Sequence, residues 1–288
     1  MFAPCRNSTP GWCLIAALGS CTRYVKEWVK AMGEYTLSHE LVGERQRLAL
    51  MSALLDPLER ARFMQIGVRP GWRCLELGCG NGSIAQALAG RVAPTGHVVA
   101  SDIDLAYIAD LQVPCLEVRR IDILQDSVEE GGYDFVVARA LLHHLKPARK
   151  ALERMVAALK PGGVLLSIEP DMLPCTVTEP ASIRAFWQGW LEWSRGAGID
   201  YFIGRKIPAW LDSLGLEEIA GEGHVAQFNG GSRWAAYWTA TIQELAPVLL
   251  KSGYITGKML EELHSCYQDP HYWTSVMTFT ENWGRKPA

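Results

Sequence analysis

The sequence predicts an α/β fold, a mostly parallel sheet with helices on both faces, and three observations carry that prediction. Trp72-Arg73-Cys74 runs into Leu75-Glu76-Leu77-Gly78-Cys79-Gly80-Asn81-Gly82-Ser83 and then Ile84–Ala89, which reads as buried strand, glycine turn and helix. Four further apolar runs follow, His97–Ser101, Cys115–Arg119, Tyr133–Ala138 and Val164–Ile168, separated by stretches of helical or turn character. Alternation of this kind places parallel strands side by side with crossover helices on their faces. Acids stand in or just after the first three of the five strands, at Glu76, Asp102 and Asp122. With 288 residues the chain can bury one large core, or a core and a small second lobe.

The glycine turn sets the chemistry. Gly78, Gly80 and Gly82 alternate, so the backbone can bend sharply and come within contact distance of a ligand that any Cβ would push away. Free N–H groups at the start of the following helix can face the ligand's polar end. A dinucleotide fingerprint needs its third glycine one residue later, inside the helix. Here the spacing is Gly-x-Gly-x-Gly behind an acid, Glu76. The second strand ends in Asp102, about twenty residues past the turn, as in a βαβ unit. A carboxylate there can accept from two vicinal hydroxyls at once. Asp104 is the second candidate for that role, and reads more readily as the N-cap of a helix from Leu105. The third strand leads to Ile121-Asp122-Ile123, and the fourth to Arg139 and then Leu141-Leu142-His143-His144. Lys160-Pro161-Gly162-Gly163 introduces the fifth, which closes on Glu169-Pro170-Asp171.

These motifs, in this order, resemble the class I methyltransferases that use S-adenosylmethionine (SAM), over roughly residues 35 to 170. The resemblance implies a Rossmann-like seven-stranded, mostly parallel sheet with helices on both faces, N-terminal helices and a helical substrate cap. It assigns Glu76, Gly78, Gly80, Gly82, Ile103 and Arg139 to the donor. Asp102 would take both ribose hydroxyls, Asp122 the adenine amino group, and Ile123 the adenine ring. SAM, leaving as S-adenosylhomocysteine, is the implied cofactor, with no metal. Two other readings compete: a SAM-fold protein without methyl transfer, cyclase-like or binding, and an oxidoreductase of the NAD type. The glycine spacing and the Lys-Pro-Gly-Gly turn argue against the last.

Outside the core, Thr22–Met32 reads as a helix whose Val25, Trp28, Val29 and Met32 share one face and seek a partner, a second subunit being one choice. The segment from Tyr35 resembles the lid of small-molecule members, with Tyr35 the aromatic that closes over the donor. Helices are expected through Glu44–Leu50 and Leu58–Ile66. After the fifth strand, Ala181–Gly196 is helical, and Phe186, Trp187, Trp190 and Trp193 fall on one face. In this fold that insertion usually forms the acceptor pocket, so Phe186, Trp187, Trp190, Tyr201, Phe202 and Glu169 are the expected substrate-binding residues; core packing is the competing account of the stripe. Helices over Lys206–Leu214, Ser232–Leu250 and Thr256–Tyr267 and strands over Leu216–Phe228 and Trp273–Trp283 complete the chain. The expected segments are 1–66 (helices and lid), 67–170 (donor core), 171–230 (cap and strand six) and 231–288 (last helices and strand), in one domain.

His143 and His144 stand after strand four, at the carboxyl end where open α/β sheets bind ligands, and histidine suits proton removal near neutral pH. They are the candidate bases, with Tyr35 beside them and Glu169 a second polar candidate; packing of one histidine and capping by the other is the competing account. An alkene acceptor would need no base at its first step and would want aromatic faces around a cation. A net charge of −3 without a clustered basic face argues against nucleic acid as partner. Eight cysteines show neither a C-x-x-C pair nor metal spacing, which predicts a reducing compartment and no zinc. The apolar run Trp12–Leu18 is short and follows Pro10-Gly11, so a cytoplasmic protein without export signal or membrane span is expected. The expected acceptor is an apolar small molecule, of the natural-product kind.

Overall fold

The computed structural model describes residues 43–288. The predicted helix Thr22–Met32, Tyr35 and the run Trp12–Leu18 lie outside the described residues. The first element is one long helix, α1 (Glu44–Ile66), where the sequence reading had two. Pro57 sits inside it without ending it. Proline's φ is already helical, so continuing through it sacrifices one N–H and its hydrogen bond, and α1 keeps Leu48, Met51, Leu55 and Phe63 buried on either side.

Next come β1 (Arg73–Leu77), α2 (Ser83–Val92), β2 (His97–Asp102), β3 (Leu116–Arg120), β4 (Tyr133–Arg139), α3 (Ala148–Ala158) and β5 (Leu159–Asp171). The helix expected from Leu105 is a single turn: Ile108 and Ala109 both donate to the Leu105 carbonyl, and it goes no further. Val113-Pro114 follows within a few residues, and the position before a proline disfavours helix. The second half holds α4 (Ala181–Ala197), α5 (Ile207–Ser213), β6 (Glu217–Val225), β7 (Phe228–Asn229), α6 (Arg233–Ser252), α7 (Gly257–Gln268), β8 (Trp273–Thr274) and β9 (Thr278–Arg285). Ser232 and Thr256 cap α6 and α7 by accepting from Ala235 and Met259 N–H groups. The strand expected over Trp273–Trp283 is divided. Trp273 and Thr274 pair with β7, and the chain then crosses to the main sheet at Thr278.

The main sheet has seven strands in the order β3-β2-β1-β4-β5-β9-β6. β1 to β5 run parallel, and β9 lies antiparallel between β5 and β6. Both faces are covered. Leu75, Leu77, Val99, Val136 and Leu165 pack with α3 and α5 residues, while Cys74, Val98, Phe135, Val137 and Leu166 pack with Phe63 of α1 and Ile84 and Leu88 of α2. This two-sided burial explains why the central strands read as unbroken apolar runs. Between β1 and β4 the strand order reverses, and the crevice at their carboxyl ends is where such sheets take ligands.

The cap is built from α4 together with α6 and α7, which are inserted between β6 and β9. Its centre is aromatic: Trp187 meets Trp238 edge-on at 5.0 Å and Phe186 at 5.0 Å, and Trp190 lies 6.1 Å from Tyr201. Among the described residues no helix is long and apolar enough to cross a membrane.

Candidate active site

The site is assembled at the carboxyl ends of β1, β2, β4 and β5. Gly78, Gly80 and Gly82 all have positive φ. At Gly82 (φ +73°) the left-handed conformation disfavours any residue with a Cβ, which would also press on the end of the Leu111 side chain at 2.9 Å. Asp102 holds the turn from below. One carboxylate oxygen accepts from Gly80 N–H at 2.9 Å and the other from Asp104 N–H at 3.2 Å. A carboxylate has about four acceptor positions, so capacity for two more donors remains. Asp104 accepts from Ala106 N–H at 2.9 Å, the capping role read from the sequence.

Glu76 lies beneath the turn, 2% exposed, and its Oε2 has no hydrogen-bond partner among the described residues. Burial holds its carboxyl well above the usual range, opposed by the charge of Arg139. A buried acidic oxygen without a donor, next to a turn that excludes side chains, is a fit for a cationic group such as the ammonium or sulfonium of SAM. Asp122 follows β3 and is engaged in its own turn, accepting from Leu124 N–H and the Gln125 amide at 2.8 Å each. Ile123 is buried beside it, and Ile103 is 47% exposed.

Arg139 ends β4 and is enclosed by α1. It donates to Asp56 at 2.9 Å, to Glu59 at 2.7 Å and to Ser83 at 3.1 Å. Burial works against its charge, but Glu59 and Asp56 hold its pKa above the ordinary value. Ser52 completes the cluster, donating to Ser83 at 3.0 Å and receiving from Asn81 at 3.0 Å. Ser52, Asp56 and Glu59 thus fasten α1 onto the glycine turn and β4. The sequence reading passed over them. The signal was present, since three polar residues spaced by four and three share one helix face.

The loop after β4 wraps around Glu169 of β5. Oε1 accepts from Leu141 and Leu142 N–H at 3.1 and 2.7 Å, and Oε2 from His143 N–H at 3.3 Å. His143 Nδ1 lies 2.8 Å from Oε2, and this is the only hydrogen bond of that ring among the described residues. The His143 ring also lies against His144 at 3.8 Å and near Tyr201 at 5.4 Å, both as tilted pairs. Burial pushes the Glu169 carboxyl up to about 8, against the pull of the three backbone N–H groups. Burial drives His143 down to about 3, so its imidazole is neutral near pH 7. The same loop touches the glycine turn, because a Cβ on Gly78 would come within 3.0 Å of Leu141. The loop that carries His143 and the turn are therefore neighbours.

The cap residues stand differently from the pocket wall that the sequence reading gives them. Phe186, Trp187 and Trp190 have no exposed surface, and the indole N–H groups of both tryptophans have no partner among the described residues. They pack on one another and on Trp238, edge to face, as the core of the cap. A helical stripe of large aromatics buries its area first against its own neighbours. Tyr201 is 7% exposed and lies between this core and His143. Phe202 sits under the Arg205 guanidinium. Glu169, expected to meet substrate, instead meets the loop that carries His143.

Residues 37–220 match a family described as a methyltransferase domain, nearly two thirds of the chain. This chain belongs to that methyltransferase family. Among its relatives is an uncharacterized methyltransferase of Mycobacterium bovis, 36% identical over 33% of this chain and 49% of the relative. Trans-aconitate 2-methyltransferase of Variovorax paradoxus is 34% identical over 34% of this chain and 39% of the relative. The chain thus spans less than half the length of these relatives. The fold matches phosphoethanolamine N-methyltransferase 2 of Haemonchus contortus, with TM-score 0.52 and 18% identity over 85% of this chain and 53% of the other. A putative methyltransferase from Bacillus halodurans matches with TM-score 0.50 and 19% identity over 80% and 99% of the two chains. Membership in this methyltransferase family sets aside the oxidoreductase alternative.

Proposed function

We propose that this protein transfers a methyl group from SAM to an apolar small molecule, leaving S-adenosylhomocysteine. The observation that carries the reading is the buried, unpartnered oxygen of Glu76 beneath a glycine turn held by Asp102. In that arrangement Glu76 faces the cationic end of the donor, Asp102 its ribose, and the turn's backbone passes close to it, with Asp122 and Ile123 on the adenine side. Bound SAM supplies an activated methyl on a sulfonium leaving group. The protein's part is to hold donor and acceptor in line, exclude water and, for an acceptor that must lose a proton, receive it. His143 is the group for that task.

The small, apolar acceptor is supported by low polarity around the loop after β4, where Tyr201 and the aromatic cap adjoin His143 and His144. A molecule of specialised metabolism fits that surrounding, and a cytoplasmic setting fits the free cysteines. The decisive measurement is calorimetry with S-adenosylhomocysteine and with NAD, followed by tritium transfer from methyl-labelled SAM to a panel of small phenols, amines and prenyl compounds. Binding of S-adenosylhomocysteine and labelling of a panel member are expected. Binding of NAD without S-adenosylhomocysteine would overturn the reading.

A further inference from the structure

The geometry points to Glu169 as the positioning residue that fixes the proton of His143 on Nδ1 and leaves Nε2 bare as the proton acceptor, so that the methyl acceptor is an O–H or N–H nucleophile. The inference rests on the methyl-transfer reading above and narrows it.

The argument is one of donors and acceptors. Backbone N–H groups can only donate, and Leu141, Leu142 and His143 direct three of them at the Glu169 carboxyl. A carboxylate offers about four acceptor positions. The last is taken by His143 Nδ1 at 2.8 Å. The carboxyl ionises as pH rises through about 8, and every position is then matched by a donor, provided that Nδ1 carries the ring proton. The lone pair then resides on Nε2, for which the described residues supply no partner. Glu169 has no exposed surface, so water does not compete for these bonds. A carboxylate behind an imidazole both selects the tautomer and stabilises the imidazolium that forms.

Other groups facing the ring do not offer this service. Tyr201 and His144 lie beside it as tilted rings. Arg47 opposes a charged His143 and Asp200 favours one, each acting through its charge. Asp200 is spent on Lys206 at 2.6 Å, and its own N–H donates to the His143 carbonyl at 2.9 Å.

In the step itself, the acceptor's O–H or N–H bond breaks toward Nε2 while its lone pair forms the new bond to the methyl carbon. The pair of the carbon–sulfur bond leaves with sulfur, which becomes the thioether of S-adenosylhomocysteine. The proton stays on the imidazole, neutralised by Glu169. No oxidant or further reagent is required.

The test is nitrogen NMR of the His143 ring at pH 9 in the full chain, read against the His143→Gln spectrum. The expected wild-type result is a proton-bearing Nδ1 and a bare Nε2. In Glu169→Gln the amide oxygen can still serve Leu141 and Leu142, but its NH₂ then donates to Nδ1, and the ring proton moves to Nε2. A proton on Nε2 in the wild type overturns the proposal whether or not the variant folds, and so does a variant with unchanged tautomer. Calorimetry with S-adenosylhomocysteine on both proteins separates the two levels. Donor binding retained with the wrong tautomer sinks this inference alone, and loss of donor binding in the wild type sinks the methyl-transfer reading. With a labelled acceptor from the panel above, Glu169→Gln should lower kcat at least 100-fold at unchanged donor KM. A purely structural Glu169 would move both together.

Discussion

Asp102 shows how one side chain serves both the turn and the site. It holds Gly80 and Asp104 N–H groups and keeps acceptor positions open beside the turn. Replacing it with Ala removes a charged acceptor and loosens the turn at once. Loss of a hydrogen bond to a charged group is worth about 1.5–3 kcal/mol, so Asp102→Ala should weaken S-adenosylhomocysteine by roughly 10- to 150-fold in calorimetry. An unchanged dissociation constant would move the ribose elsewhere. Asp102 was legible because position alone marks it, an acid at a strand end one βαβ unit past a glycine turn. The place of His143, just past the end of β4, is marked by position in the same way. What escaped was pairing: nothing local joins Glu169 to a loop that far back in the chain, since their meeting depends on β4 and β5 lying side by side. Likewise Arg139 was assigned to the donor, and only the burial of α1 against β4 shows that Asp56 and Glu59 engage it.

At the level of elements, α4 records the limit of periodicity. The sequence placed Phe186, Trp187, Trp190 and Trp193 on one face, and they do share one. Periodicity gives the face but not what it meets, which here is α6 and its Trp238. The insertion of α6 and α7 between β6 and β9 supplies that partner from a distance of some fifty residues. Trp187→Ala should therefore behave as a core truncation costing about 3–5 kcal/mol. At roughly 2–4 °C per kcal/mol for a domain of this size, the melting temperature should fall by about 6–20 °C, with the affinity for S-adenosylhomocysteine preserved in the folded fraction. A variant with wild-type melting and lost turnover would return Trp187 to the pocket wall. The long helix α1 makes the same point in polar form. Its Arg62 reaches Glu281 of β9 at 2.7 Å while Asp56 and Glu59 reach β4, so a single helix ties the far strands to the site.

For the whole molecule, the buried pair of His143 and Glu169 makes stability depend on pH from two sides. His143 titrates near 6.5 unfolded and is driven down to about 3 by burial. Below pH 6.5 the unfolded chain binds a proton that the folded one refuses, so this contribution is lost as pH falls from 6.5 toward 3. Glu169 titrates near 4.5 unfolded and is pushed up to about 8 by burial. Between those values the folded chain holds a proton that the unfolded one has released, so this contribution is full below 4.5 and lost as pH rises through 8. From 4.5 to 6.5 the two slopes oppose each other. The pair predicts a plateau there, with stability declining on either side by up to about 1.4 kcal/mol per pH unit for each proton. Urea unfolding as a function of pH checks this. His143→Gln should flatten the decline below pH 4.5, and Glu169→Gln the decline between 6.5 and 8. If both variants keep the wild-type profile, other groups set the pH limits, and the pair exchanges its proton without coupling to the fold.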